Sequence, residues 1–465
     1  MIFLKKIFRD ALTLGFSNIV ITGAGFLFSL YISRMLGTSG VGLYQLILSV
    51  YVLCATFATS GISLSVTRLV SEALSLEDTK DEVCKIMLRC LGFSAVVGLS
   101  AGALMFVFSC PAASVFLGHP ETVTCLRILS CGLMFMSLCS CFHGYFIGVR
   151  RATGSAAASL VEDFCKMAVV IIAFTVKSPE NITEGCEIIC TALVLSEAFS
   201  CLCAFVLYIT DKNRRGRKNP QKTIRKLFGI AAPVAASSYL RTGLTTLENI
   251  LIPVGLVAAG FSENEALSLF GSMKGLVMPL MFFPASFLWA FTRVLVPEVT
   301  DAFTKGDMPR INRMGSRVVK TTFICAVSVM VFFIAFSRPI GKYIFHSVDA
   351  GNYLFLLAPL LPVMYLDGVV DAMLKGMNEQ VAVMRYNIIE AAVRVFLVWI
   401  VLPVTGFEGL VLTIYAGNAI NVVLSLRRLC NLTDIGKLNI GNKIGKNMKN
   451  SNIIYRKRTK NTHHI

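Results

Sequence analysis

Between Ala11 and Arg428, twelve long apolar stretches alternate with short polar segments. The runs are 11–34, 43–70, 88–109, 124–148, 156–176, 186–209, 227–258, 266–296, 318–337, 352–374, 382–403 and 406–426. A helix rising about 1.5 Å per residue needs roughly 20 apolar residues to cross a bilayer. These runs meet that length and are too continuously apolar for the alternating strands of a barrel. The pattern predicts an all-α polytopic membrane protein with twelve transmembrane helices. A composition of 55% hydrophobic and 15% charged residues excludes an ordinary soluble domain. The first run lacks the short apolar core and small-residue cleavage site of a signal peptide, so it reads as a retained helix.

The net charge of +17 invites a nucleic-acid reading, but the cations follow the membrane pattern. With the N-terminus inside, Lys5, Lys6, Arg9, Lys80, Lys85, Arg89, Arg150 and Arg151 are all cytoplasmic. So are the basic stretch Asp211–Lys226, the segment Lys305–Lys320 and the tail from Arg427 onward. The opposite loops hold only Lys177, Arg338 and Lys342. This bias places both termini in the cytoplasm. It accounts for the charge without nucleic acid and favours attraction to anionic membrane lipids. Most of the fifteen cysteines lie within runs, where they act as small apolar residues.

The long polar break at 211–226 divides the runs six and six. The expected organisation is an N-lobe over 1–210, a cytoplasmic basic linker over 211–226, a C-lobe over 227–430 and a basic, disordered cytoplasmic tail over 431–465. Six is even, so the halves enter the membrane with the same polarity and form parallel repeats. Gly42-Leu43-Tyr44 leads to Thr67-Arg68 in the second run, and Ser268-Leu269-Phe270 leads to Thr292-Arg293 in the eighth. The aromatic-to-arginine separations are 24 and 23 residues, which marks Arg68 and Arg293 as candidate equivalent gating residues.

Ionisable residues inside a span are costly and point to function. Glu162 with Lys166, Asp371 with Lys375, and Glu390 with Arg394 have the four-residue spacing of intrahelical ion pairs. Arg241 and Lys274 lack an acid at that spacing, and lie on consecutive antiparallel helices. They are the candidate substrate-binding cations, suited to an anionic headgroup, and Asn18 joins them as a polar residue of the first span. The structural rival pairs Arg241 with Glu248, seven residues on. Glu197, Glu248 and Asp367 are candidates for ion coupling. No catalytic constellation, metal-ligand spacing or phosphate-binding loop is present, so neither an enzyme nor a cofactor is expected.

The segments Gly40-Val41-Gly42-Leu43-Tyr44-Gln45, Arg68-Leu69-Val70-Ser71-Glu72-Ala73, Gly275-Leu276-Val277-Met278-Pro279 and Leu374-Lys375-Gly376-Met377-Asn378 resemble the stage V sporulation protein B and polysaccharide exporter family. That family belongs to the multidrug/oligosaccharidyl-lipid/polysaccharide exporter superfamily. The resemblance implies a MATE-like fold of two six-helix lobes around a central cavity. It also implies outward flipping of a lipid-linked oligosaccharide or cell-wall precursor across a bacterial plasma membrane. The protein is expected to act as a monomer, with coupling to Na⁺, H⁺ or the membrane potential. Glu248 and Asp367 lie on the two helices that hold the acidic cation site in some extrusion antiporters of the superfamily. The first span has no arginine before Arg34, unlike the lipid II flippases, so the broader exporter reading is preferred. The rival within transport is a cation-coupled multidrug antiporter. The rival from another class is an integral-membrane glycan polymerase or ligase.

Overall fold

A computed structural model describes the backbone of residues 2–75, 80–149, 152–176, 179–211 and 223–433. Side chains are described from Ile19 onward within these ranges, apart from 73–75, 80–82, 152–153, 223–234, 289–291 and 293–294. Most of the expected linker and tail therefore lies outside the described residues. The first half contains α1 (Ile2–Thr59), α2 (Ile62–Ser75), α3 (Lys80–Val107), the short α4 (Ser109–Pro111), α5 (Val123–Gly148), α6 (Ala152–Val176) and α7 (Ile182–Thr210). The second contains α8 (Thr223–Ala258), α9 (Glu263–Gly271), a π-helical turn over Ser272–Val277, and α10 (Met278–Thr304). It continues with α11 (Met308–Pro339), α12 (Val348–Leu357), α13 (Leu361–Gly376), α14 (Gln380–Thr405) and α15 (Phe407–Leu432).

The fold is all-α, and all twelve expected runs fall on these helices. Nine stretches among the described residues are long and apolar enough to cross a membrane. The first, Ile19–Glu72, takes in most of the first expected run and all of the second. Of the helices outside the nine, α6 carries Glu162, Asp163 and Lys166, and α8 carries Arg241, Glu248 and several hydroxyl residues.

Two boundaries differ from the sequence pattern. The expected loop between the first two runs is a single kink inside α1 at Gly37, whose φ of 73° and ψ of 174° lie outside the helical region. The left-handed φ is readily available to glycine. The second run, expected to be unbroken, is interrupted at Ser60-Gly61 before α2 begins.

In the first half, α5 packs against α3 and α7, and α7 packs against α6. In the second, α13 contacts α10, α11 and α15, while α14 lies between α8 and α15. A local packing motif recurs in both halves. Thr67 Oγ1 donates to the carbonyls of Ser63 and Gly144 at 2.8 and 2.9 Å. Thr300 Oγ1 donates to those of Val296 and Gly376 at 2.8 and 3.0 Å. A Cβ on Gly144 would meet Ser63 O and Val66 Cβ; one on Gly376 would meet Val296 O and Val299 Cβ. This geometry matches Thr67 with Thr300, and hence Arg68 with Asp301. The equivalence of Arg68 and Arg293 suggested by sequence is therefore corrected by about two turns. The packing of hydroxyl against glycine, and not the arginine spacing, sets this register.

The halves meet along α1. Thr38 Oγ1 and Ser268 Oγ are 2.6 Å apart. A Cβ on Gly42 would lie 2.0 Å from Leu267 O, and one on Gly271 would lie 2.1 Å from Thr38 O. The backbones cross so closely that only glycine fits, the geometry used by small-residue contacts between membrane helices. Farther along, Thr246 Oγ1 donates to Ser49 O and Asn249 Nδ2 to Ser49 Oγ, both at 3.0 Å. Tyr239 Oη donates to Phe57 O at 3.3 Å, with the two rings 4.3 Å apart.

Candidate substrate and coupling site

The second half concentrates its intramembrane charge on α8, α13, α14 and the π-helical turn. Arg394 organises the cluster. Its Nε donates to Glu248 Oε1 at 3.1 Å, its Nη2 bonds the same oxygen, and its Nη1 reaches Glu390 Oε1 at 3.5 Å. Glu248 is 3% exposed and Arg394 16%, so low dielectric strengthens this pair and makes either partner costly to leave alone. A Cβ on Gly417 would lie 2.5 Å from Cγ and Cδ of Arg394, so the bare α15 backbone makes room for the arginine stem. The i,i+4 spacing finds the Glu390–Arg394 pair. The stronger bond to Glu248 crosses between helices, and no sequence spacing reports it.

Glu248 is thus engaged by Arg394 and not by Arg241. Arg241 is exposed and has no carboxylate within 4 Å among the described residues, and it interacts electrostatically with Asp371 and Glu390. Lys274 is half-buried in the π-helical turn and feels the attraction of Glu248 and the repulsion of Arg394. Such turns insert a surplus residue into a helix and recur at functional sites. The two candidate cations therefore address different carboxylates of one charged region.

A second polar layer joins α13, α14 and α15. Asn421 Nδ2 donates to Asp367 Oδ2 at 3.0 Å and to Asn387 Oδ1 at 3.4 Å. Ser425 Oγ lies 3.5 Å from Asp371 Oδ1, and the expected Lys375–Asp371 pair forms at 3.7 Å. Asp367 Oδ1 and Asn421 Oδ1 are buried without a hydrogen-bond donor among the described residues. In the first half, Tyr51 Oη on α1 donates to Glu197 Oε1 on α7, while Glu197 Oε2 is likewise buried without a donor. Lys166 goes to Asp163 at 2.8 Å, and not to the Glu162 expected from its spacing.

The remaining sequence candidates stand apart. Arg68 bonds Glu72 at 3.1 Å on the surface, a pair with little energetic weight. Arg293 sits within α10 and Asn18 within α1, but their side chains lie outside those described.

The sequence model of polysaccharide biosynthesis proteins matches residues 7–303, more than half of the chain. The chain belongs to the polysaccharide biosynthesis protein family. Similarity within the family extends past the matched region. Stage V sporulation protein B of Bacillus subtilis (strain 168) is 23% identical over 410 residues, covering 86% of this chain and 79% of that relative. Lipid II flippase MurJ of the same organism is 23% identical over 411 residues, covering 81% and 74%. Among solved structures, an inward-facing multidrug resistance MATE family transporter of the MOP superfamily superposes with a TM-score of 0.73 at 14% identity. That match covers 93% of this chain and 99% of the other, and it establishes a MATE-like fold.

Proposed function

We propose that this family member is a flippase that moves a lipid-linked glycan precursor of the cell envelope from the cytoplasmic to the outer leaflet. The observation carrying the reading is the seal at Gly42 and Gly271. It joins two helical lobes near the end that bears Ser262, opposite the basic segment starting at Lys305. If the positive-inside bias sets the orientation, the sealed end is external and the charged C-lobe region is approached from the cytoplasm. The relatives named for a flippase and a sporulation protein support transport over glycan polymerisation, so the protein is read as a transporter and not an enzyme.

The organisation proposed is an N-lobe over 1–210 and a C-lobe over 227–430 in a bacterial plasma membrane, with both termini cytoplasmic. The protein acts as a monomer. Arg241 and Lys274 receive the anionic sugar–phosphate headgroup while the lipid tail stays in the bilayer, and rocking of the lobes exposes the headgroup outside. Because Glu248 is already paired with Arg394, the coupling role moves to Asp367 and Glu197. Each presents an unpartnered oxygen suited to H⁺ or Na⁺.

Cysteines introduced at Glu180 and Ser262 should react with an impermeant thiol reagent from outside, while those at Gly216 and Asn450 should react only after permeabilisation. External labelling at Gly216 would overturn the orientation. The charge reversal Arg241→Glu should abolish transport without loss of membrane protein. The assay is accumulation of the lipid-linked intermediate in a strain dependent on this protein, and normal transport by the variant would refute the cationic site.

A further inference from the structure

A cavity of about 600 Å³ lies between the C-terminal half of α10 and the N-terminal half of α11, with α13 at its base. Its walls are mainly apolar, including Leu288, Leu295, Met314 and Val318. Arg310, Arg313 and Arg317 also line it. Their spacings of three and four residues place them along one side of α11. Arg310 is neutralised by Glu298 at 2.6 Å and Asp301 at 3.3 Å. Arg313 bonds only the Pro309 carbonyl, at 3.3 Å, among its described hydrogen bonds. Neither Arg313 nor Arg317 has a carboxylate within 4 Å among the described residues, and both are exposed.

Two uncompensated guanidinium groups beside an apolar cavity match a ligand with an anionic phosphate attached to hydrocarbon. Arg317 lies nine residues into α11, roughly 13 Å along its axis, where the helix passes from a basic to an apolar sequence. That is the level at which arginines reach lipid headgroups. We propose that this cleft binds one anionic phospholipid of the cytoplasmic leaflet. Its phosphate meets Arg313 and Arg317 through charge-assisted hydrogen bonds, and the upper part of an acyl chain enters between α10 and α11. Charge complementarity distinguishes this occupant from a neutral lipid. Neither Arg241 nor Lys274 is among the residues lining the cleft, so a lipid held here accompanies transport and is not the cargo.

The test uses the full-length protein purified in mild detergent, with retained lipids counted by native mass spectrometry. Thermal stabilisation is then measured on adding phosphatidylglycerol, phosphatidylcholine, undecaprenyl phosphate or inorganic phosphate. One retained phosphatidylglycerol and selective stabilisation by that lipid are expected. Arg313→Gln with Arg317→Gln should weaken its binding at least tenfold, whereas Arg338→Gln with Lys342→Gln, near the opposite end of α11, should leave it unchanged. Thr321→Trp, which fills the cavity without removing charge, should weaken it comparably and serves if the arginine variant does not fold. Equal binding of phosphatidylcholine, an unchanged arginine variant, or equal stabilisation by inorganic phosphate would overturn the proposal. Tighter binding of undecaprenyl phosphate would also overturn it, by assigning the cleft to cargo.

Discussion

Arg394→Met should lower stability by about 3–5 kcal/mol, because it leaves Glu248 buried without its cation. Glu390 loses the same partner, although its longer contact contributes less. The expected readout is a lower apparent melting temperature in detergent and reduced protein in the membrane. Glu248→Gln in the Arg394→Met background should recover most of that stability by removing the stranded charge. Transport should be lost in the double variant, because the charged region that holds Arg241 and Lys274 is then stripped of both members of its central ion pair. A single variant as stable as the parent would refute the ion-pair assignment. Full transport by the double variant would show that the pair is scaffolding alone.

Leucine at Gly42 or Gly271 should hold the lobes apart at the seal. A Cβ at either position already falls about 2 Å from a carbonyl oxygen of the other lobe, well inside van der Waals contact. Neither neighbour is a side chain able to rotate away, so the helices must separate. In a background with the exposed native cysteines replaced, a cysteine at Gln45 should become reactive to an impermeant reagent added outside. Transport should fall at least tenfold, because the proposed alternating-access cycle requires this closure. Gly92→Leu is the control, since a Cβ there meets nothing within 4 Å. Unchanged labelling and transport in the Gly42 and Gly271 variants would show that the crossing is not an obligatory gate.

The fold was legible because lipid allows so few backbone solutions. A run such as 186–209 has little alternative to a helix, and α7 spans it completely. Some pairs within one helix were also legible, as at Asp371 and Lys375, because their geometry follows from the helical period, although Lys166 took Asp163 in place of Glu162. Contacts between helices were not. Arg394 reaches Glu248 across 146 positions, and Tyr51 reaches Glu197 across the same number, so spacing carries no trace of either. The repeat register failed for a related reason. Thr-Arg recurs in the sequence near the end of both segments, while Thr67 and Thr300 are the residues that pack on Gly144 and Gly376. Matching local composition found the duplicated helices but misaligned them.

The kink at Gly37 has a mechanical consequence. Two membrane-crossing segments are joined there by one non-helical residue, with no loop to take up slack. A flexible tether lets its two ends move independently; a one-residue elbow transmits torque. The second arm is clasped to the opposite lobe just beyond the kink, at Thr38 and Gly42, so a swing that opens that clasp must also turn the first arm. Changes in the angle between the arms are confined to a few dihedrals around Gly37, which makes this corner a torsional joint at the rim of the protein.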